Sequence, residues 1–169
     1  MYHDGLARFA TEEYDKNQKD DNLFMHLTNY AINKESEAFQ QNESDYKKGL
    51  VETLDIIKEA EGQEVVDTIW NQMRDLIVKT LITGWPHLDH NYRTCRSRTT
   101  YQNYRQCFEI LGFDIMLDKK LKPWLLEVND MPSFNDDTEV DKRIKTGLIE
   151  DTFRLLDIKK NQKQRMMEK

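Results

Sequence analysis

Residues 107–129 read CFEILGFDIMLDKKLKPWLLEVN, two runs rich in apolar and aromatic residues on either side of the short polar stretch Asp118-Lys119-Lys120-Leu121-Lys122. Neither run has a helical period, and together they predict a β-hairpin with strands over 107–117 and 123–129. If the midpoint falls between Lys120 and Leu121, the register sets Asp114 opposite Glu127. Side chains alternate along a strand, so the two carboxylates then share a face, and Asn129, two residues on, joins them. Like charges directly opposite one another destabilise a ladder. At ~4 Å and an effective dielectric of ~20 the repulsion is about 4 kcal/mol before screening, a large fraction of the roughly 5–15 kcal/mol by which a domain is stable. Something should offset it. Asp, Glu and Asn offer hard oxygen donors without imidazole or thiolate, which suits magnesium: it typically takes one or two carboxylates and completes its shell with water and substrate phosphates. Two plainer readings stay open on the residues alone, one acid solvated at a sheet edge or a register displaced by one.

Outward from the hairpin the chain reads as one domain of mixed α and β structure. The 169 residues can bury roughly 70% of their unfolded surface, enough for a core. A stretch at residues 5–10, GLARFA, reads as a short strand, and the semi-apolar segment 23–32 as strand or loop. Leu50, Leu54 and Ile57 recur at helical spacing after Ser44 and Asp45, either of which can cap, and Gly62 ends the pattern. Val65, Val66, Ile69, Met73, Leu76, Ile77 and Thr80 mark one face of a longer helix that stops at Gly84-Trp85-Pro86. A last helix, capped by Asp136 or Asp137, carries Val140, Ile144, Leu148 and Leu155, and a basic tail fills 159–169.

Composition excludes several classes. No run approaches the ~18 apolar residues of a membrane span, and the start lacks the charged and apolar regions of a signal peptide, so a cytosolic protein without membrane association is expected. Cys95 and Cys107 are too few for a disulfide framework and read as free thiols. His87 and His90, in a Pro-containing loop with no partnering cysteines, do not read as a metal site. The net charge of −6 speaks against nucleic acid. Yet residues 91–105 hold four arginines, Arg93, Arg96, Arg98 and Arg105, and no acid, and the tail holds five basic residues against Glu168 alone. Such patches attract an acidic partner despite the total.

Four stretches carry a resemblance: HLTNYAINK (26–34), NYRTC (91–95), the hairpin itself, and GLARFATEEY (5–14), where an arginine follows a short strand. Taken in chain order, and up to about residue 158, they resemble the tubulin tyrosine ligase-like family. The resemblance implies the C-terminal half of an ATP-grasp fold, residues 1–158, in which an antiparallel sheet with a metal-binding hairpin is packed by helices. It implies that Asp114, Glu127 and Asn129 hold magnesium ions bridging the ATP phosphates, and that Thr28 and Asn29 lie beside ATP. Arg8 and Lys48 match cationic positions that hold the incoming amino acid, so Arg8 and Glu127 are the catalytic candidates. The implied reaction is ATP-dependent: a glutamate side chain in an acidic tubulin tail is phosphorylated, and the amine of free glutamate attacks the acyl phosphate. The expected partners are microtubules, in the cytoplasm, the cytoskeleton and by resemblance the cilium or basal body.

The sequence also departs from the family. LLEVNDMPSF (125–134) resembles the polyglutamylases more than the glycylases, but the position after Asn129, often histidine in chain-elongating glutamylases, is Asp130. An acid in the amino-acid pocket would repel a glutamate, which keeps glycylase and tyrosine ligase as alternatives. An ATP-grasp enzyme also needs an N-terminal half with phosphate-binding lysines and a flexible glycine loop. The six glycines here form no cluster, so the chain is read as one half, inactive alone, with a non-catalytic tubulin-binding module as the reading from another class.

Overall fold

A computed structural model describes residues 1–12, 23–26, 28, 46–95 and 107–156. The elements run β1 (Leu6–Arg8), α1 (Leu23–His26), β2 (Lys47–Gly49), α2 (Leu50–Glu61), α3 (Gln63–Thr94), β3 (Gly112–Leu117), β4 (Pro123–Asn129) and α4 (Glu139–Leu156). The strands form two antiparallel ribbons, β1 with β2 and β3 with β4. This is an α+β chain. It divides into two compact units, residues 1–56 with 134–169, and residues 57–133.

In the first unit, the β1–β2 ribbon pairs Leu6 with Gly49, Ala7 with Lys48 and Arg8 with Lys47. Helix α4 packs on both strands, burying Ile144 and half-burying Val140 and Leu148. Leu155, expected on the same face, is exposed: it lies in the last turn of the described helix, past the ribbon's three-residue strands. The cap of α4 is Thr138 rather than Asp136 or Asp137. Its hydroxyl accepts from the Asp141 amide (3.2 Å), as an N-cap does, and donates to the Asp141 carboxylate (2.7 Å). The start of α2 likewise differs from expectation. Ser44 and Asp45 lie outside the described residues, and the carboxylate that takes up the Val51 amide is Asp4, at 3.1 Å. A residue 47 positions away thus does what a local cap was expected to do. The segment at 23–32, expected as strand or loop, contains the single-turn helix α1 with Met25 buried; its mixed polarity concealed the turn.

In the second unit α3 lies against β4. Gly62, at φ 92°, is the one residue between α2 and α3, in a region that favours glycine. Ile69 and Met73 are buried and Val65, Val66, Leu76, Ile77 and Thr80 half-buried, so the expected stripe is the helix's inner face. The helix does not stop at Gly84-Trp85-Pro86 but continues to Thr94, placing His87 and His90 on a helix rather than a loop. Pro86 removes only its own amide from the ladder, a cost of roughly 3 kcal/mol. Beyond it, Asp89 pairs with Arg93 (2.8 Å) and His87 with Asn91 (3.1 Å), but such pairs contribute a few tenths of a kcal/mol each. Local interactions alone do not account for the continuation. Both cysteines are exposed and unpaired, and no helix among the described residues is long and apolar enough to cross a membrane.

Candidate functional site

The hairpin places its carboxylates by means of a bulge. From the turn outward the ladder pairs Leu117 with Pro123, Met116 with Trp124 and Ile115 with Leu125; then it shifts by one, and Asp114 faces Glu127, Phe113 faces Val128 and Gly112 faces Asn129. Leu126 is the extra residue, and it is exposed. Had the turn-side register continued, Asp114 would face Leu126, and Glu127 would point to the side of Phe113, Ile115, Leu117 and Leu125, all half-buried. A charge among those side chains is costly. The bulge instead turns Glu127 and Asn129 to the face of Asp114. The strand β3 starts at Gly112, not at Cys107; residues 107–111 have no regular structure.

On this face Asp114 and Glu127 are exposed and Asn129 is half-buried. The Asn129 amide donates to Glu127 Oε1 at 3.2 Å, which ties the two side chains together and leaves the Asn129 carbonyl as a further acceptor. Gly112, opposite Asn129, is closely approached: a Cβ there would lie 3.2 Å from the Pro132 Cβ, a tight contact, and 3.6 Å from that of Asn129. Two carboxylates and an amide oxygen form a hard donor set that fits magnesium, which needs no more from the protein when phosphates complete the shell. No group of three or more His, Cys, Asp or Glu that could hold a metal occurs among the described residues. Asp130 follows β4 and is exposed.

The turn is held by Asp118, whose Oδ1 accepts the amides of Lys120 (2.8 Å) and Lys122 (3.0 Å) and whose Oδ2 accepts the Trp124 indole (2.9 Å). These bonds, the indole first, hold its carboxyl below the usual range. They pin the loop in which Leu121 adopts φ 60°, a conformation unusual for a residue with a side chain.

Arg8 and Lys48 sit on adjacent strands of the first unit, one register step apart. Alternation puts Arg8 and Lys47 on one face of the ribbon and Ala7 and Lys48 on the other. Arg8 is exposed; Lys48 reaches Glu52 at 3.5 Å. Thr28 is half-buried and in no regular element, and Asn29 lies outside the described residues, as does the basic tail.

One group escaped the reading of the sequence. Asp141 is 2% exposed; it accepts from the ammonium of Lys47 and the hydroxyl of Thr138, and pairs with Lys145 at 3.1 Å. Burial pushes its carboxyl up, but the hydrogen bonds from Lys47, Thr138 and Lys145 outweigh burial and bring it to about 2. The Thr-x-x-Asp spacing from 138 to 141 was the available signal, and it announces a helix start, not a partner on β2.

An α+β chain with an oxygen-only donor set on an exposed hairpin face thus stands beside comparisons with known proteins. The chain belongs to the tubulin-tyrosine ligase family, whose family model matches residues 1–165. It is 45% identical to the human tubulin polyglutamylase TTLL6 over 170 residues, covering 99% of this chain and 19% of that protein. It is 42% identical to the mouse tubulin polyglutamylase TTLL7 over 173 residues, 100% of this chain and 19% of that protein, and 43% identical to human tubulin polyglutamylase TTLL13 over 169 residues, 99% and 21%. The chain therefore spans about a fifth of the length of these curated relatives.

Proposed function

We propose that this chain forms part of an ATP-dependent carboxylate–amine ligase that adds glutamate to glutamate side chains in the acidic C-terminal tails of tubulin. The observation that carries the reading is the bulged hairpin, which brings Asp114, Glu127 and Asn129 to one exposed face in a member of a ligase family whose relatives bear the name tubulin polyglutamylase. Asp114, Glu127 and Asn129 would hold magnesium, which when bound supplies positive charge against the ATP phosphates. Thr28 and Asn29 flank the nucleotide of an ATP-grasp site. Arg8 binds the carboxylate of the incoming glutamate through its planar, permanently charged guanidinium; Lys48 stands on the other face of the ribbon.

In the reaction, the γ-carboxylate of a tail glutamate attacks the γ-phosphorus of ATP and ADP leaves. The amine of free glutamate then attacks the acyl phosphate; phosphate departs and the amine loses a proton as the isopeptide bond forms. No nucleophile from the protein is needed. The chain's residues act by placing two anions in reach of one another and by stabilising charge that grows on phosphate and carbonyl oxygen. Microtubules of the cytoskeleton, including those of cilia, are the proposed partners.

The test replaces the matching segment of human TTLL6 with residues 1–165 of this chain and measures incorporation of labelled glutamate, glycine or tyrosine into microtubules with ATP and magnesium. Glutamate is expected to be incorporated, with a loss of at least 100-fold on Glu127→Gln. A folded chimaera that incorporates only glycine or tyrosine overturns the glutamate assignment; one in which Glu127→Gln changes nothing overturns the ligase reading of the hairpin.

A further inference from the structure

The β1–β2 ribbon carries a pair of like charges, Arg8 directly opposite Lys47, an arrangement that destabilises a ladder unless something offsets it. Lys47 is turned inward, its side chain 13% exposed, with its ammonium on the Asp141 carboxylate of α4. Each neighbouring cation also has an acid: Lys48 has Glu52, Arg143 has Asp4 at 3.0 Å, and Lys145 has Asp141. Arg8 is exposed, and among the described residues no carboxylate stands within ion-pair distance of it. Among the described residues, one cation of this cluster is left over.

We propose that Asp141 is a positioning residue for the amino-acid subsite: it draws Lys47 into an ion pair with α4, so that of the two cations sharing that face of the ribbon only Arg8 presents its charge to the substrate carboxylate. The assignment rests on the reading of Arg8 as the carboxylate-binding residue. A single guanidinium recognises one planar carboxylate through two parallel hydrogen bonds, whereas an adjacent free ammonium would compete for the same anion as a point charge and admit other geometries. Asp141, buried and fixed at its helix start by Thr138, removes that competitor. Its role concerns which cation meets the anion.

The test is side-chain NMR on the whole chain, following the Arg8 Nε and Lys47 Nζ resonances during titration with glutamate, in wild type, Asp141→Asn and Lys47→Met. In wild type Arg8 should shift and Lys47 stay silent; in Asp141→Asn Lys47 should begin to respond; and Lys47→Met, which leaves Asp141 paired with Lys145, should keep the Arg8 response within twofold and serves where Asp141→Asn folds poorly. Lys47 responding in wild type, both resonances unchanged by Asp141→Asn, or loss of the Arg8 response in Lys47→Met would each overturn the proposal. If Arg8 is silent in wild type while Lys47 responds in Asp141→Asn, the shielding by Asp141 stands and the carboxylate reading of Arg8 falls instead.

Discussion

At the residue scale, Asp141 is a buried carboxylate held by two ammonium groups and a hydroxyl. Its carboxyl titrates at about 2 against an ordinary 3.8, so the folded chain takes up its proton less readily than the unfolded chain. The stability it contributes, about 2 kcal/mol by linkage, is full above pH ~4 and lost as the pH falls through about 2. Asp141→Asn should lower stability at neutral pH by about 3–5 kcal/mol, because two ammonium groups lose their carboxylate, and should flatten the remaining pH dependence between 4 and 2. Urea unfolding across that range measures both. An unchanged slope would mean that the ion pair is not formed in solution. Gly112 matters for a different reason: its missing Cβ is the space into which Pro132 and Asn129 pack.

At the element scale, the bulge in β4 is what brings Glu127 to the face of Asp114. A regular hairpin grown from this turn would face Asp114 with a leucine, and the one-residue shift at Leu126 exchanges that leucine for Glu127. Since Leu126 is exposed and has no ladder partner, deleting it should leave Asp114 opposite Glu127 at a cost of about 1 kcal/mol or less. Deleting Val128 should instead carry Asn129 to the face of Phe113 and separate it from Glu127. Backbone NOE contacts from Asp114 to Glu127 and from Gly112 to Asn129, with urea midpoints, distinguish the two: the Leu126 deletion keeps both and the Val128 deletion loses the second. Loss of the Asp114–Glu127 contacts in the Leu126 deletion would show that the bulge fixes the register rather than merely accommodating an extra residue.

At the scale of the whole molecule, the charge has to be reconciled with an acidic partner. The chain carries −6 overall, so the proposed attraction to acidic tubulin tails would come from its local basic stretches, residues 91–105 and 159–169. Of the four arginines in 91–105 only Arg93 lies among the described residues, and it is paired with Asp89. Interactions between exposed charges are screened over about 10 Å at 0.1 M salt. Co-sedimentation of the chain with microtubules should therefore weaken several-fold between 50 and 300 mM salt, about these concentrations being chosen to span the screening length. Replacing Arg96, Arg98 and Arg105 by Gln should remove most of that dependence. Binding that ignores both salt and substitution would assign these arginines to the solvated surface.

The residues alone determined the hairpin, its pairing of Asp114 with Glu127, the inner face of α3 and the family, because alternation, helical period and an uncommon run of matching motifs are all local properties of the chain. Even so, the pairing followed from a turn placed half a residue too far along, and the bulge compensated for it. Only the tertiary structure decided what depends on distant partners: that Asp4 receives the Val51 amide, that α3 runs through Pro86, and that Asp141 faces Lys47. A cap, a helix end and a buried counter-ion are each set by which groups packing brings within hydrogen-bonding distance, and a sequence records the groups without recording who will be near them.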